Sequence, residues 1–142
     1  MTASQAEAAS PIHAWLAARG AWPRRALAFL AGAAATLGHA PFQLVIVYVA
    51  AIVLLVWLLD TVAAKHPSLG AHTSRAFALG WFFGLGHMIT GLYWVSSAFN
   101  VDSSAWGPLW GVPTTLGLCA LLAGFFGFGW GLAISFWSRD VR

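Results

Sequence analysis

Charge is scarce in this chain. Seven of its 142 residues are Lys or Arg and four are Asp or Glu, 8% in all, where soluble domains carry about 25%. A soluble fold of this size would lack the polar side chains to cover its outside. Cysteine is nearly absent. Cys119 alone excludes an internal disulfide or a CxxC metal site, and in its apolar run it reads as a small hydrophobe. Lysine and glutamate occur once each, as Lys65 and Glu7. No HExxH, no Ser–His–Asp arrangement and no GxGxxG between strand and helix is found. The residues therefore name no catalytic, cofactor-binding or metal-ligating position, and no cofactor is expected. The net charge is +3 with a pI of about 9.8. The basic residues are scattered rather than clustered, which excludes nucleic acid as a partner.

What is abundant is apolar surface. Hydrophobic residues make up 60% of the chain, mean hydropathy is +0.77, and there are nine tryptophans. A bilayer is the solvent that suits this composition, and Trp gathers where headgroups meet water. The reading is all-α: a polytopic membrane protein with four transmembrane helices, at about 22–40, 43–59, 76–97 and 109–137. Residues 1–21 form a tail or surface helix, with Ile12, Trp15, Leu16 and Arg19 at helical spacing. The first span is short and rich in Ala and Gly. Read instead as a secretory signal, it would place Pro41 directly after the cleavage site, and a second apolar run follows at once. Asp60 to Ser74 reads as a polar loop in which His66 and His72 are solvated.

Orientation follows from the cations. Arg19, Arg24, Arg25, Lys65, Arg75, Arg139 and Arg142 all fall at the two termini or between the second and third spans. The positive-inside rule then places both termini in the cytoplasm. The Ala40–Gln43 turn and the Ser96–Pro108 loop face outside. Glycines mark packing faces. Gly80, Gly84 and Gly91 lie within roughly 40° of one another on a helix, and Gly124, Gly127 and Gly131 within about 60°. Two of these pairs are GxxxG, the pattern of close helix approach. Packing of spans three and four accounts for it more simply than oligomerisation. His87 is the ionisable residue at membrane depth. It either relays protons or hydrogen-bonds a neighbouring helix, with Thr90 one turn away.

Three features in order carry a family resemblance. They are the turn at Gly38 to Phe42, a GWxxGxGxxxxGLYWV run, and a loop ending at Gly107-Pro108. The run supplies Gly80, Trp81, Gly84, Gly86, Gly91, Leu92, Tyr93, Trp94 and Val95. Together they resemble the N-terminal membrane region of apolipoprotein N-acyltransferases, from Arg24 to about Arg139. The resemblance implies a multi-pass protein of the bacterial inner membrane. The family moves an acyl chain from a phospholipid to the N-terminus of a diacylglyceryl lipoprotein. It works through a Glu–Lys–Cys triad in a periplasmic nitrilase-like domain held by a bundle of eight helices. No triad residue carries over: Glu7 is the last glutamate, Lys65 is on the cytoplasmic side, and Cys119 is in a span. The expectation is a membrane scaffold without the nitrilase-like catalytic domain, inactive alone, whether fragment, truncated frame or separate subunit. Its partners would be membrane lipids, and apolipoprotein only once a catalytic domain is supplied. Tyr93, Trp94, Trp106 and Trp110 would line a lipid mouth or form an ordinary aromatic belt. The alternatives are a small homo-oligomeric transporter or channel subunit and a purely structural packing subunit.

Overall fold

The computed structural model describes residues 11–63, 69–99 and 108–140. Within them the chain forms α1 (Pro11–Ala18), α2 (Ala21–Ala35), a 3-10 turn (Thr36–Gly38), α3 (Val45–Ala63), α4 (Leu69–Leu92), α5 (Val95–Ala98) and α6 (Pro108–Asp140). No strand occurs among the described residues. Each boundary has a local cause. Gly20 is extended just before α2, and Pro23 falls in the first turn, where its missing N–H had no partner to lose. The α2–α3 turn closes when Leu44 N donates to Leu37 O at 2.9 Å and Gln43 N to His39 O at 2.9 Å. Gln43 takes a left-handed φ of 53°, and α3 then runs 19 residues without Gly or Pro.

Two boundaries differ from the sequence reading. The expected polar loop from Asp60 to Ser74 is mostly helix, because α3 continues to Ala63 and α4 begins at Leu69. His72 is therefore not a solvated loop residue. It lies on the packed face of α4 at 6% exposure, four residues before buried Ala76, so helical periodicity carries it inward. His66 lies outside the described residues. At its other end α4 stops at Leu92 rather than running on to residue 97, and the short helix α5 follows the Tyr93-Trp94 turn.

The core is centred on α4, which packs against α6, α2 and α3. Phe83, Leu79 and Ala76 of α4 are buried with Ala28 and Ala35 of α2 and Leu55, Leu58 and Leu59 of α3. In α1 Leu16 is buried while Ile12 and Trp15 are half exposed. The outward faces are apolar: Ile46 is 86% exposed, Phe125 71% and Phe136 68%. Two helices, over Val45–Val62 and Leu109–Phe136, are long and apolar enough to cross a bilayer.

Backbone contact is closest at glycine. A Cβ on Gly80 would stand 2.8 Å from Phe126 O, one on Gly84 2.8 Å from the Phe126 side chain, and one on Gly127 2.9 Å from the Phe77 ring. On α6 the buried positions step by four: Gly111, Thr115, Cys119, Ala123, Gly127 and Gly131. This ladder of small residues runs along one ridge and lets α4 lie in close. Gly124 is not on it. It lies on the flank with nothing within 4 Å of an added Cβ, because three-residue spacing turns it 60° away from Gly127. Gly91 also falls outside this contact; its nearest neighbour is Thr36 of the 3-10 turn at 3.9 Å. Replacing Gly84 by Leu should cost about 1–3 kcal/mol through overpacking. Replacing Gly124 by Ala should not destabilise the bundle. Reversible unfolding of both variants in mixed micelles measures the difference, and equal losses would contradict this seam.

Candidate functional site

The α2–α4 pair builds a polar cluster at the end of the bundle that holds the Ala40–Gln43 turn. It depends on two glycines that the packing-face analysis did not single out. A Cβ on Gly32 would collide with the Phe83 carbonyl, and one on Gly86 with the Phe29 carbonyl. Contact between the two backbones brings the next turn of each helix into hydrogen-bond range. His87 Nδ1 lies 3.3 Å from Gly32 O and 3.3 Å from Thr36 Oγ1. A carbonyl only accepts, so Nδ1 carries the proton. Thr36 Oγ1 is 2.6 Å from Thr90 Oγ1, and Thr90 Oγ1 donates to Gly86 O at 2.8 Å. One directed chain satisfies all three side chains: His87 to Gly32 and Thr36, Thr36 to Thr90, Thr90 to Gly86. Of the two roles open to His87, the geometry supplies the hydrogen bond to a neighbouring helix, with Thr90 as a further link.

The cluster reaches the surface through rings. His39 is exposed; its ring centroid is 5.3 Å from that of His87 and 5.7 Å from that of Tyr48. On the other side His87 meets Phe126 of α6 at 6.0 Å. The imidazole thus touches or bonds α2, the turn and α6 at once. Among the described residues no three His, Cys, Asp or Glu side chains gather into a group that could hold a metal.

Three of the aromatic residues expected at a lipid mouth lie among the described residues. Tyr93 is 72% exposed, Trp94 59% and Trp110 59%. The packing of α5 on the start of α6, where a Cβ on Gly111 would approach Ser96 O to 2.7 Å, puts all three at one end of the bundle. They form an open rim. Trp106 lies outside the described residues. Cys119 is fully buried in the α4–α6 seam, and Trp81 crosses that seam to donate from Nε1 to Ala120 O at 3.0 Å. Near the opposite end Thr73 and Ser135 pair at 3.1 Å. His72 Nε2 is buried there without a hydrogen-bond partner.

Residues 31–141 match the family described as the apolipoprotein N-acyltransferase N-terminal domain. Among curated relatives, the apolipoprotein N-acyltransferase of Rhizobium etli is 43% identical over 120 residues, covering 83% of this chain and 22% of that protein. Those of Rhodopseudomonas palustris and Brucella suis are 37% and 36% identical, each covering 84% of this chain and 22% and 23% of the relative. The chain thus spans between a fifth and a quarter of the length of the relatives it matches. No solved structure gives a significant match.

The hydrogen-bond chain predicts coupling between its threonines. In a double-mutant cycle of Thr36→Val and Thr90→Val, the interaction should be about 0.5–1.5 kcal/mol, read from unfolding in mixed micelles. Strictly additive losses would show that the 2.6 Å contact is not a hydrogen bond that stabilises the fold.

Proposed function

The chain belongs to the apolipoprotein N-acyltransferase N-terminal domain family, and from that premise we propose that it is the membrane-embedded N-terminal portion of such an enzyme. The family match across residues 31–141 is the observation that carries this reading. In it, α2, α3, α4 and α6 are four spans of the bacterial inner membrane, with both termini in the cytoplasm. Two helices of spanning length and apolarity support it, as do the exposed apolar faces, which suit lipid better than water. Arg24, Arg25 and Arg75 line one pocket at a single end of the bundle, as cations left on the cytoplasmic side would. The open rim of Tyr93, Trp94 and Trp110 lies at the other end, among headgroups of the periplasmic leaflet.

The function proposed for these residues is scaffolding. The enzyme would move a phospholipid acyl chain to the N-terminus of a diacylglyceryl lipoprotein. Among the described residues no Glu–Lys–Cys arrangement for acyl transfer is found. Cys119 is sealed in a helix seam, and neither Lys65 nor Glu7 lies near it in sequence. The bundle would instead hold the catalytic part at the membrane surface and leave the rim open for lipid to approach from the side. The glycine contacts and the His87–Thr36–Thr90 chain keep the outer ends of α2 and α4 in fixed register beneath that part.

Two measurements test this. Purified and incubated with phospholipid and a diacylglyceryl peptide, these 142 residues should transfer no acyl chain; transfer would overturn the scaffold reading. In a Cys119→Ala background, Ser103→Cys should react with a membrane-impermeant maleimide in spheroplasts. Ser68→Cys should react only after permeabilisation. The reverse pattern would overturn the topology.

A further inference from the structure

The arginine end of the bundle contains a pocket that scaffolding of acyl transfer does not use. Its volume is ≈ 330 Å³, and it is lined by Arg24 and Arg25 of α2 and Arg75 of α4, with Ala21, Val62 and Leu79. Arg24 is held in place there. Its Nη1 donates to Thr61 Oγ1 at 3.2 Å and its Nε to Gly20 O at 3.3 Å. Thr61 in turn donates to Leu58 O at 2.7 Å, so its oxygen is free to accept from the arginine. Arg24 and Arg75 are close enough to repel each other, and the N-terminus of α2 adds partial positive charge at Ala21. On α2, α3 and α4 the one carboxylate is Asp60. If it neutralised one guanidinium, three minus one would still leave two positive charges. An anion in this pocket would relieve the repulsion, and the guanidiniums that line it have the chemistry to bind a phosphate.

A second cavity shares one lining residue with the first. It is an apolar groove of ≈ 390 Å³ between α2 and α4, lined by Trp22, Arg25, Phe29, Leu30, Phe82 and Leu85. Arg25 belongs to both cavities. Its guanidinium lies 5.2 Å from the Trp22 ring centroid and 5.9 Å from that of Phe82, so its charge borders the aromatic end of the groove. From Trp22 to Leu30 the groove follows α2 for about 12 Å. It opens on the outer flank, where Trp22 is 70% and Leu30 62% exposed. A soluble anion would fill only the basic chamber. The two cavities together have the shape and polarity of an amphiphile with a phosphate head and an acyl chain.

We propose that this composite site binds an anionic phospholipid of the leaflet at the arginine end, the phosphate among Arg24, Arg25 and Arg75 and one acyl chain along the Trp22–Leu85 groove. The proposal rests on the membrane reading given above. It assigns a lipid that locks α2 to α4 at the end of the bundle opposite the aromatic rim, distinct from any lipid consumed as acyl donor.

Bromine on an acyl chain quenches nearby tryptophan, and Trp22 lines the groove. The full chain in neutral-detergent micelles is titrated with phosphatidylglycerol or phosphatidylcholine, each brominated on its acyl chains. Phosphatidylglycerol should quench at a lower mole fraction, and Trp22→Phe should remove most of that excess. Arg24→Gln with Arg75→Gln should weaken the phosphatidylglycerol response by at least about tenfold, at about fivefold per charge, while Arg24→Lys with Arg75→Lys restores most of it. Millimolar inorganic phosphate should not displace the lipid. Equal quenching of the unmodified chain by the two lipids overturns the proposal even if the glutamine variants fail to fold. Displacement by phosphate overturns it in favour of a free-anion site. Quenching by neither lipid overturns it together with the membrane reading, whereas equal quenching by both leaves the membrane reading standing.

Discussion

The bundle depends on how closely α4 is approached by its neighbours. At Gly86 and Gly32 the backbones of α2 and α4 touch, and at Gly80, Gly84 and Gly127 α4 and α6 come nearly as close. In an apolar solvent, burying leucine against leucine gains little, since lipid tails are as apolar as the side chains. What remains is dispersion between well-fitted surfaces and hydrogen bonds between helices. Both need small residues at the crossing. A single added methylene at the α2–α4 contact would separate the helices and pull His87 away from Gly32 O.

The polar groups follow from that contact. His87 and Thr36 are half-buried and Thr90 is exposed, and polar groups taken even partly out of water need partners. The glycine contact supplies those partners by bringing the carbonyl of Gly32 and the hydroxyl of Thr36 within 3.3 Å of the imidazole. The α4–α6 seam carries hydrogen bonds of its own, where Trp81 reaches the Ala120 carbonyl and Thr73 reaches Ser135. The two ends of the bundle then differ in kind. One carries arginines around a chamber, and the other carries exposed aromatic rings around an open rim. A helix bundle lying across a leaflet boundary needs both kinds of end, because cations resist crossing and aromatic rings settle among headgroups.

Much of the seam was legible in the sequence. Gly80, Gly84 and Gly127 could be assigned from GxxxG spacing, and each meets α4 or α6 at contact distance. Gly124 lies off the seam because the ridge is set by small residues of every kind rather than by glycine alone. The four-residue ladder of Gly111, Thr115, Cys119, Ala123, Gly127 and Gly131 was present throughout and names the buried ridge without it. His72 misled for another reason. Its neighbours His66, Pro67, Ser68 and Gly70 are turn-forming residues, but local propensity is weak where a helix can pack. Leu69 to Arg75 form roughly the first two turns of α4, and these take His72 into the interior.

By itself the sequence determined the class of solvent, the all-helical build and the family, since each follows from composition, periodicity or the order of motifs along one chain. Only the tertiary structure decided which residues meet. Gly32 and Phe83, Thr36 and Thr90, and Arg24 and Arg75 are separated by about fifty residues, and no spacing rule links them. Their meeting depends on the register at which two parallel helices, α2 and α4, pack side by side. That register is set by where one backbone can approach another, a property of two helices together that neither contains alone.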